Sequence, residues 1–171
     1  MSKTPPGHGT TRVTTQPYQV LSVDFAFLGM TSGYSDQKSI HEGINGKTVW
    51  ILITDNFTGM NNVDASISKV SSITCLRNLL KHYSPTCNDK YIHLDQRGEL
   101  FNNPYVNNLL KWFCYTLNPT GSDTSNQNGP VKWSHIKLAK SLWGMLNGAN
   151  LDIKFWKYVL CHAIQLYNSF P

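Results

Sequence analysis

An α/β fold, with a five-stranded mixed sheet flanked by helices, is what this 171-residue sequence predicts. Three observations carry that expectation. Strand-like runs come three in succession before the first helical stripe, and strand and helix then alternate. The second strand is nearly all apolar, as a central strand covered on both faces must be. The chain then closes on two long stripes of helical period.

Taken in order, residues 1–17 are rich in Thr, Pro and Gly without periodicity and read as a flexible tail, leaving one domain over 18–171. Gln19–Phe27 is a β-branched and aromatic run, hence a strand. Gly29, Gly33, Gly43 and Gly46 mark a long hairpin connection to a second strand, Thr48–Asp55, and Val63–Ile67 reads as a short third strand. Ser71-Ser72 opens a helix with the stripe Ile73, Leu76, Leu79 and Leu80, ended by Pro85. Tyr91–Asp95 is the fourth strand. A helix starts at Asn103-Pro104, with Val106, Leu109, Leu110 and Phe113 as its buried face. Cys114–Leu117 is a short fifth strand, and the polar stretch Asn118–Gly129 a loop. The third helix starts near Pro130, buries Ile136, Ala139, Leu142, Trp143 and Leu146, and is capped by Asn147-Gly148. Asp152 caps the fourth, whose stripe is Ile153, Trp156, Leu160, Ala163, Ile164 and Tyr167. Trp50, Trp112, Trp143 and Trp156 all fall on predicted apolar faces and read as core.

Composition narrows the function classes. No apolar run approaches the length of a membrane span, and the first residues hold no apolar signal segment, so an intracellular protein with no membrane partner is expected. Cys75, Cys87, Cys114 and Cys161 form no CxxC pair and the six histidines are dispersed, which argues for reduced, buried thiols and against a zinc module. The net charge of +5 permits a polyanionic partner without requiring one.

Two acids stand on predicted strands, Asp24 within the first and Asp95 at the end of the fourth. Paired carboxylates on neighbouring rigid strands suit Mg²⁺, which takes hard oxygen ligands, and a metal so held can assist phosphoryl transfer. By themselves, two such aspartates more often cap turns or accept backbone bonds than hold a metal.

The local sequence around them says more. Leu94–Phe101 (LDQRGELF) resembles the DNGGEF-like motif of retroelement integrases, and Gln127–Lys132 (QNGPVK) resembles their QNGxxE motif. Ile53–Thr58 (ITDNFT) is similar to their second-strand DDFSR region, and Leu146–Trp156 to the segment ending in FW of copia-type elements. The resemblance runs from residue 19 to the C-terminus. It implies an RNase H-like integrase core, DNA 3′-end processing and strand transfer, a D,D,E site served by Mg²⁺ or Mn²⁺, DNA as partner, a homodimer or higher multimer, and the nucleus as a place of action. Asp24 matches the first acid and Asp95 the second. The third position falls on Lys132, one residue beyond the family spacing. The only glutamates, Glu42 and Glu99, lie far from it in sequence, and the nearest acid, Asp123, sits in the preceding loop.

A lysine in the first turn of a helix opposes the helix dipole by about 0.3–1 kcal/mol. Its ammonium either pairs with Asp24 and Asp95, in which case no metal is needed, or extends into solvent. Gln127, Asn128, Lys132, Lys137 and Lys140 are the expected DNA contacts, with Lys154 and Lys157 in the same basic cluster. Three readings follow: an impaired integrase core, a non-catalytic DNA-binding or dimerisation module, and an active enzyme that completes its site with Asp123 or a second subunit.

Overall fold

The computed structural model of the protein describes residues 14–27, 29–30, 39–69, 71–83, 89–95, 100, 103–120 and 129–169. Residues 1–13 of the expected tail, Pro85, Cys87, the Gln96–Glu99 part of the second-acid motif, and Asp123, Gln127 and Asn128 lie outside these residues.

Strand β1 (Val20–Phe27) is followed by β2 (Gly29–Met30) and β3 (Ser39–Ile40), which pair with each other as a small antiparallel ribbon. Next come β4 (Val49–Asp55), β5 (Asn61–Ser66), α1 (Ser72–Leu80), β6 (Lys90–Asp95), α2 (Pro104–Trp112), β7 (Tyr115–Thr120), α3 (Gly129–Gly148) and α4 (Trp156–Ser169). The main sheet has the order β5-β4-β1-β6-β7. β1 pairs antiparallel with β4, as β4 does with β5, whereas β6 runs parallel to β1 and to β7. The sheet is therefore mixed, with β1 at its centre. β4 is buried at every residue, as its apolar run predicts.

Alternation along the strands sends side chains to two cores. Leu21, Val23, Ile51, Ile53, Ile92 and Leu94 pack with α1 and α2, while Trp50, Leu52, Ala65, Leu138, Leu142 and Trp156 pack with α3 and α4. Among the described residues no helix is long and apolar enough to cross a membrane.

Several expectations shift. The third strand begins two residues earlier, at Asn61, because it pairs with β4 from there. The fifth strand begins at Tyr115 rather than Cys114 and continues to Thr120, drawn out by its parallel ladder with β6. Cys114 instead takes a left-handed conformation (φ 58°) that turns the chain from α2 into β7, and its thiol is exposed, against the expectation of buried cysteines. Trp112, expected in the core, is 82% exposed, because the buried stripe of α2 runs through Val106 and Leu110. Ile136 is likewise 55% exposed. The stripe of α3 passes through Val131, His135, Leu138, Leu142 and Leu146, and residue 136 lies about 100° around the helix from 135. The left-handed residue that ends α3 is Asn150 (φ 49°), not Gly148: Leu151 N–H bonds Leu146 O at 2.9 Å and Asn150 N–H bonds Asn147 O at 3.2 Å.

The caps at Asn103 and Asp152 are as expected. Their side chains accept from Tyr105 N–H at 3.0 Å and Lys154 N–H at 2.8 Å. Asp152 starts a 3₁₀ turn, Ile153–Phe155, that leads into α4. Trp156 then packs so close to Gly43 that a Cβ there would lie 2.5 Å from the indole Nε1; only glycine lets the chain before β4 pass the helix.

Candidate active site

The central strand presents Asp24 on the α3 side of the sheet. Its neighbours Val23 and Leu21 alternate into the opposite core, so the same pleat that buries them turns Ser22, Asp24 and Ala26 towards α3. Asp24 Oδ1 accepts the Phe25 N–H at 2.9 Å. Ser22 is buried and donates its hydroxyl to Asn56 Oδ1 at 2.9 Å.

Asp95 closes β6, the parallel neighbour of β1. The β1–β6 ladder runs from Val20–Tyr91 to Ser22–His93, and both Asp24 and Asp95 follow its last pair by two residues. The Asp95 side chain lies outside the described part of the structure. His93 is buried, with Nε2 3.2 Å from the amide nitrogen of Asn118, its register partner on β7.

The helix that covers Asp24 does not present the residue the sequence pointed to. Lys132 sits beside the buried stripe of α3 and is exposed. Neither of the ion pairs His135–Asp24 and Lys157–Asp64 includes it, so of the two alternatives for Lys132 the exposed one is what the structure has. His135, one turn further along, faces Asp24 instead, with Nε2 3.9 Å from Oδ2. Its ring stands edge-on to Trp50 at a centroid distance of 5.2 Å. His135 is 8% exposed, and neither ring nitrogen meets a hydrogen-bond partner among the described residues. Burial pushes the imidazole pKa down to about 4, against a smaller upward pull from the Asp24 main chain. His135 is therefore neutral at pH 7. A histidine four residues after Val131, in an otherwise apolar stripe, was the available signal in the sequence, but it carries no partner there: Asp24 lies more than a hundred residues away in the chain.

These residues do not fit a magnesium centre well. Two carboxylate positions are there, but the third group turned towards Asp24 is an imidazole with unpartnered nitrogens, and Mg²⁺ favours oxygen ligands. Among the described side chains no three His, Cys, Asp or Glu groups converge on one point.

The outer side of α3 is basic and aromatic. Lys137 Nζ lies 3.4 Å from the ring centroid of Trp133, which is 58% exposed, and 5.5 Å from that of Tyr167. Lys132 and Lys140 are exposed on the same helix. Lys157, grouped with them by sequence, belongs elsewhere: it pairs with Asp64 of the edge strand β5 at 3.8 Å.

No protein-family model and no curated protein matches the chain. Solved structures do. A chain of the simian T-cell lymphotropic virus intasome, in complex with PP2A regulatory subunit B56 gamma, superposes with a TM-score of 0.70 at 14% identity, over 100% of this chain and 55% of that one. The present chain thus spans little more than half the length of the intasome chain. The catalytic core domain of BIV integrase superposes with a TM-score of 0.62 at 16% identity, over 90% of this chain and 86% of that one. The sheet order, the helices on both faces and these superpositions together identify the fold as the RNase H-like fold of integrase catalytic cores.

Proposed function

We propose that the chain is an integrase catalytic-core-like domain of copia-type retroelement origin, in which DNA 3′-end processing and strand transfer are impaired because Lys132 stands at the third acid position. The observation that carries this reading is the composition of α3 over the central strand. Its first two turns offer Asp24 a neutral imidazole, and the lysine at the acid position is exposed. The shared fold supports the coarse reading, and the LDQRGELF and QNGPVK segments support the finer one.

DNA is the proposed partner, held by Lys132, Lys137 and Lys140 with Gln127 and Asn128. Phosphate contacts of this kind position a duplex and weaken steeply with salt. Exposed Trp133, with Lys137 over its ring, favours a second reading, a DNA-binding module without chemistry, because it offers contacts that no catalytic step needs. A homodimer or higher multimer acting inside the cell, in the nucleus, is part of the proposal.

The test is an end-nicking and strand-transfer assay in Mg²⁺ and in Mn²⁺, on the chain as it stands and on Lys132→Glu. The native chain is expected to be silent and the variant to gain detectable product. Activity in the native chain would sink the impaired-enzyme reading. Silence in both, with DNA binding whose logarithm falls linearly with log salt, would favour the binding module.

A further inference from the structure

We propose that Trp133 is a stacking platform for an unpaired nucleobase, so that the DNA taken by the outer side of α3 is single-stranded, or frayed at its end, rather than a closed duplex. The inference rests on the reading that this basic side binds DNA, and it requires no catalysis.

The first argument is charge. Helix α3 carries three lysines and no acid in its 20 residues. Lys132 and Lys140 are exposed, and Lys137 is half-buried against the rings beside it. A surface of one sign suits a polyanion, and lysines contact phosphates whatever the sequence. Charge alone does not choose between one strand and two.

The second argument is the apolar surface set among those charges. Trp133 is 58% exposed, and Ile136 beside it is exposed as well. Ile136, Lys137 and Lys140 follow Trp133 at helical spacing, so the four share one strip of α3. Phosphates make no use of an indole or an isoleucine left in water. A base does, because its face stacks on an aromatic ring. Inside a duplex that face is covered by the neighbouring pairs, and only an unpaired base can offer it.

The third argument is preorganisation. The Lys137 ammonium lies 3.4 Å from the ring centroid of Trp133 and 5.5 Å from that of Tyr167 on α4. A cation between two rings holds the indole by one face and ties it to the neighbouring helix. The other face is left for a base. A ring already fixed in place loses little further freedom on binding, so more of the stacking shows as affinity.

The experiment uses the full chain and fluorescence anisotropy at one fixed salt concentration. The labelled DNAs are a mixed-sequence single strand, its blunt duplex, and that duplex with a short single-stranded overhang. The single strand and the overhang are expected to bind at least about 10-fold more tightly than the blunt duplex, the weight of one stacked base. Trp133→Ala is expected to lose that preference, and Trp133→Phe, which keeps a ring, to retain most of it. Lys140→Gln should weaken all three DNAs alike and lower the salt slope by about one. Trp112→Ala, which removes another exposed tryptophan across the sheet on α2, should change none of them. Photocrosslinking of the unaltered chain to a bromodeoxyuridine strand needs no variant: the adduct, located by mass spectrometry, is expected on Trp133. Equal affinity for single strand and blunt duplex, a preference that survives Trp133→Ala in a folded variant, or adducts only elsewhere would overturn the proposal. Duplex binding that persists in those cases leaves the DNA reading standing, whereas a chain that binds none of the three DNAs sinks both.

Discussion

At the scale of single residues, the acids of this chain divide by what surrounds them. Asp24 faces an imidazole across a gap, whereas Asp55 is enclosed and fully engaged. Its Oδ1 accepts the N–H groups of Tyr18 at 3.0 Å and Phe57 at 3.3 Å, and its Oδ2 accepts the Thr58 N–H at 3.2 Å and the Thr58 hydroxyl at 2.6 Å. That carboxylate ties the segment before β1 to the turn between β4 and β5. In sequence both are strand aspartates, and only their partners separate a structural acid from a candidate catalytic one. Asp55→Ala removes four hydrogen bonds to a buried carboxylate at once and is expected to lower stability by about 3 kcal/mol in urea unfolding. A loss under about 1 kcal/mol would show that water replaces the carboxylate.

At the scale of elements, the edge of the sheet shows how a helix end substitutes for a missing strand. β5 is the outermost strand, and its first residue, Asn61, is buried. Asn168, near the end of α4, meets it reciprocally: Asn61 N–H donates to Oδ1 at 3.0 Å, and the Asn168 amide donates to Asn61 O at 2.8 Å. An amide side chain thus does what the backbone of a further strand would do. Asn168→Ala removes both bonds and is expected to cost about 2 kcal/mol, whereas Asn168→Asp, which keeps the acceptor, should cost roughly half. Amide exchange at Asn61, faster in both variants and fastest in Asn168→Ala, is the check.

At the scale of the whole molecule, one sheet separates two cores, and ionisable groups sealed in the core under α1 and α2 make the stability of the fold depend on pH. Burial, reinforced by the Asp64 carboxylate and opposed by Lys47, pushes the Cys75 thiol up to about 11, and burial likewise raises the Tyr83 phenol. Both groups hold their protons longer when folded than when unfolded. The Cys75 contribution is therefore fully present below pH 9 and is lost as the pH rises from 9 through 11, by up to about 3 kcal/mol. Chemical denaturation across that window should give a falling stability whose slope flattens in Cys75→Ala. An unchanged slope would assign the alkaline loss to other groups.

The local chain carried most of the fold. Hydrophobic period, proline and asparagine at helix starts, and the apolar run of β4 are near-neighbour effects, legible without any partner, and they place every major element to within a few residues. Where the reading slipped, at Trp112 and Ile136, a helical stripe one position out of phase looks equally apolar in sequence, and only packing against a particular sheet face chooses between phases. The candidate site divides the same way. Asp24 and Asp95 could be marked because strand and motif are local, and the lysine at position 132 because an alignment is one-dimensional. That Lys132 is exposed while His135 turns to Asp24 depends on the rotation of α3 against β1. That rotation is set by Val131, Leu138 and Leu142 seating against the Trp50 and Leu52 side of the sheet, a contact between segments some eighty residues apart that no stretch of either one specifies.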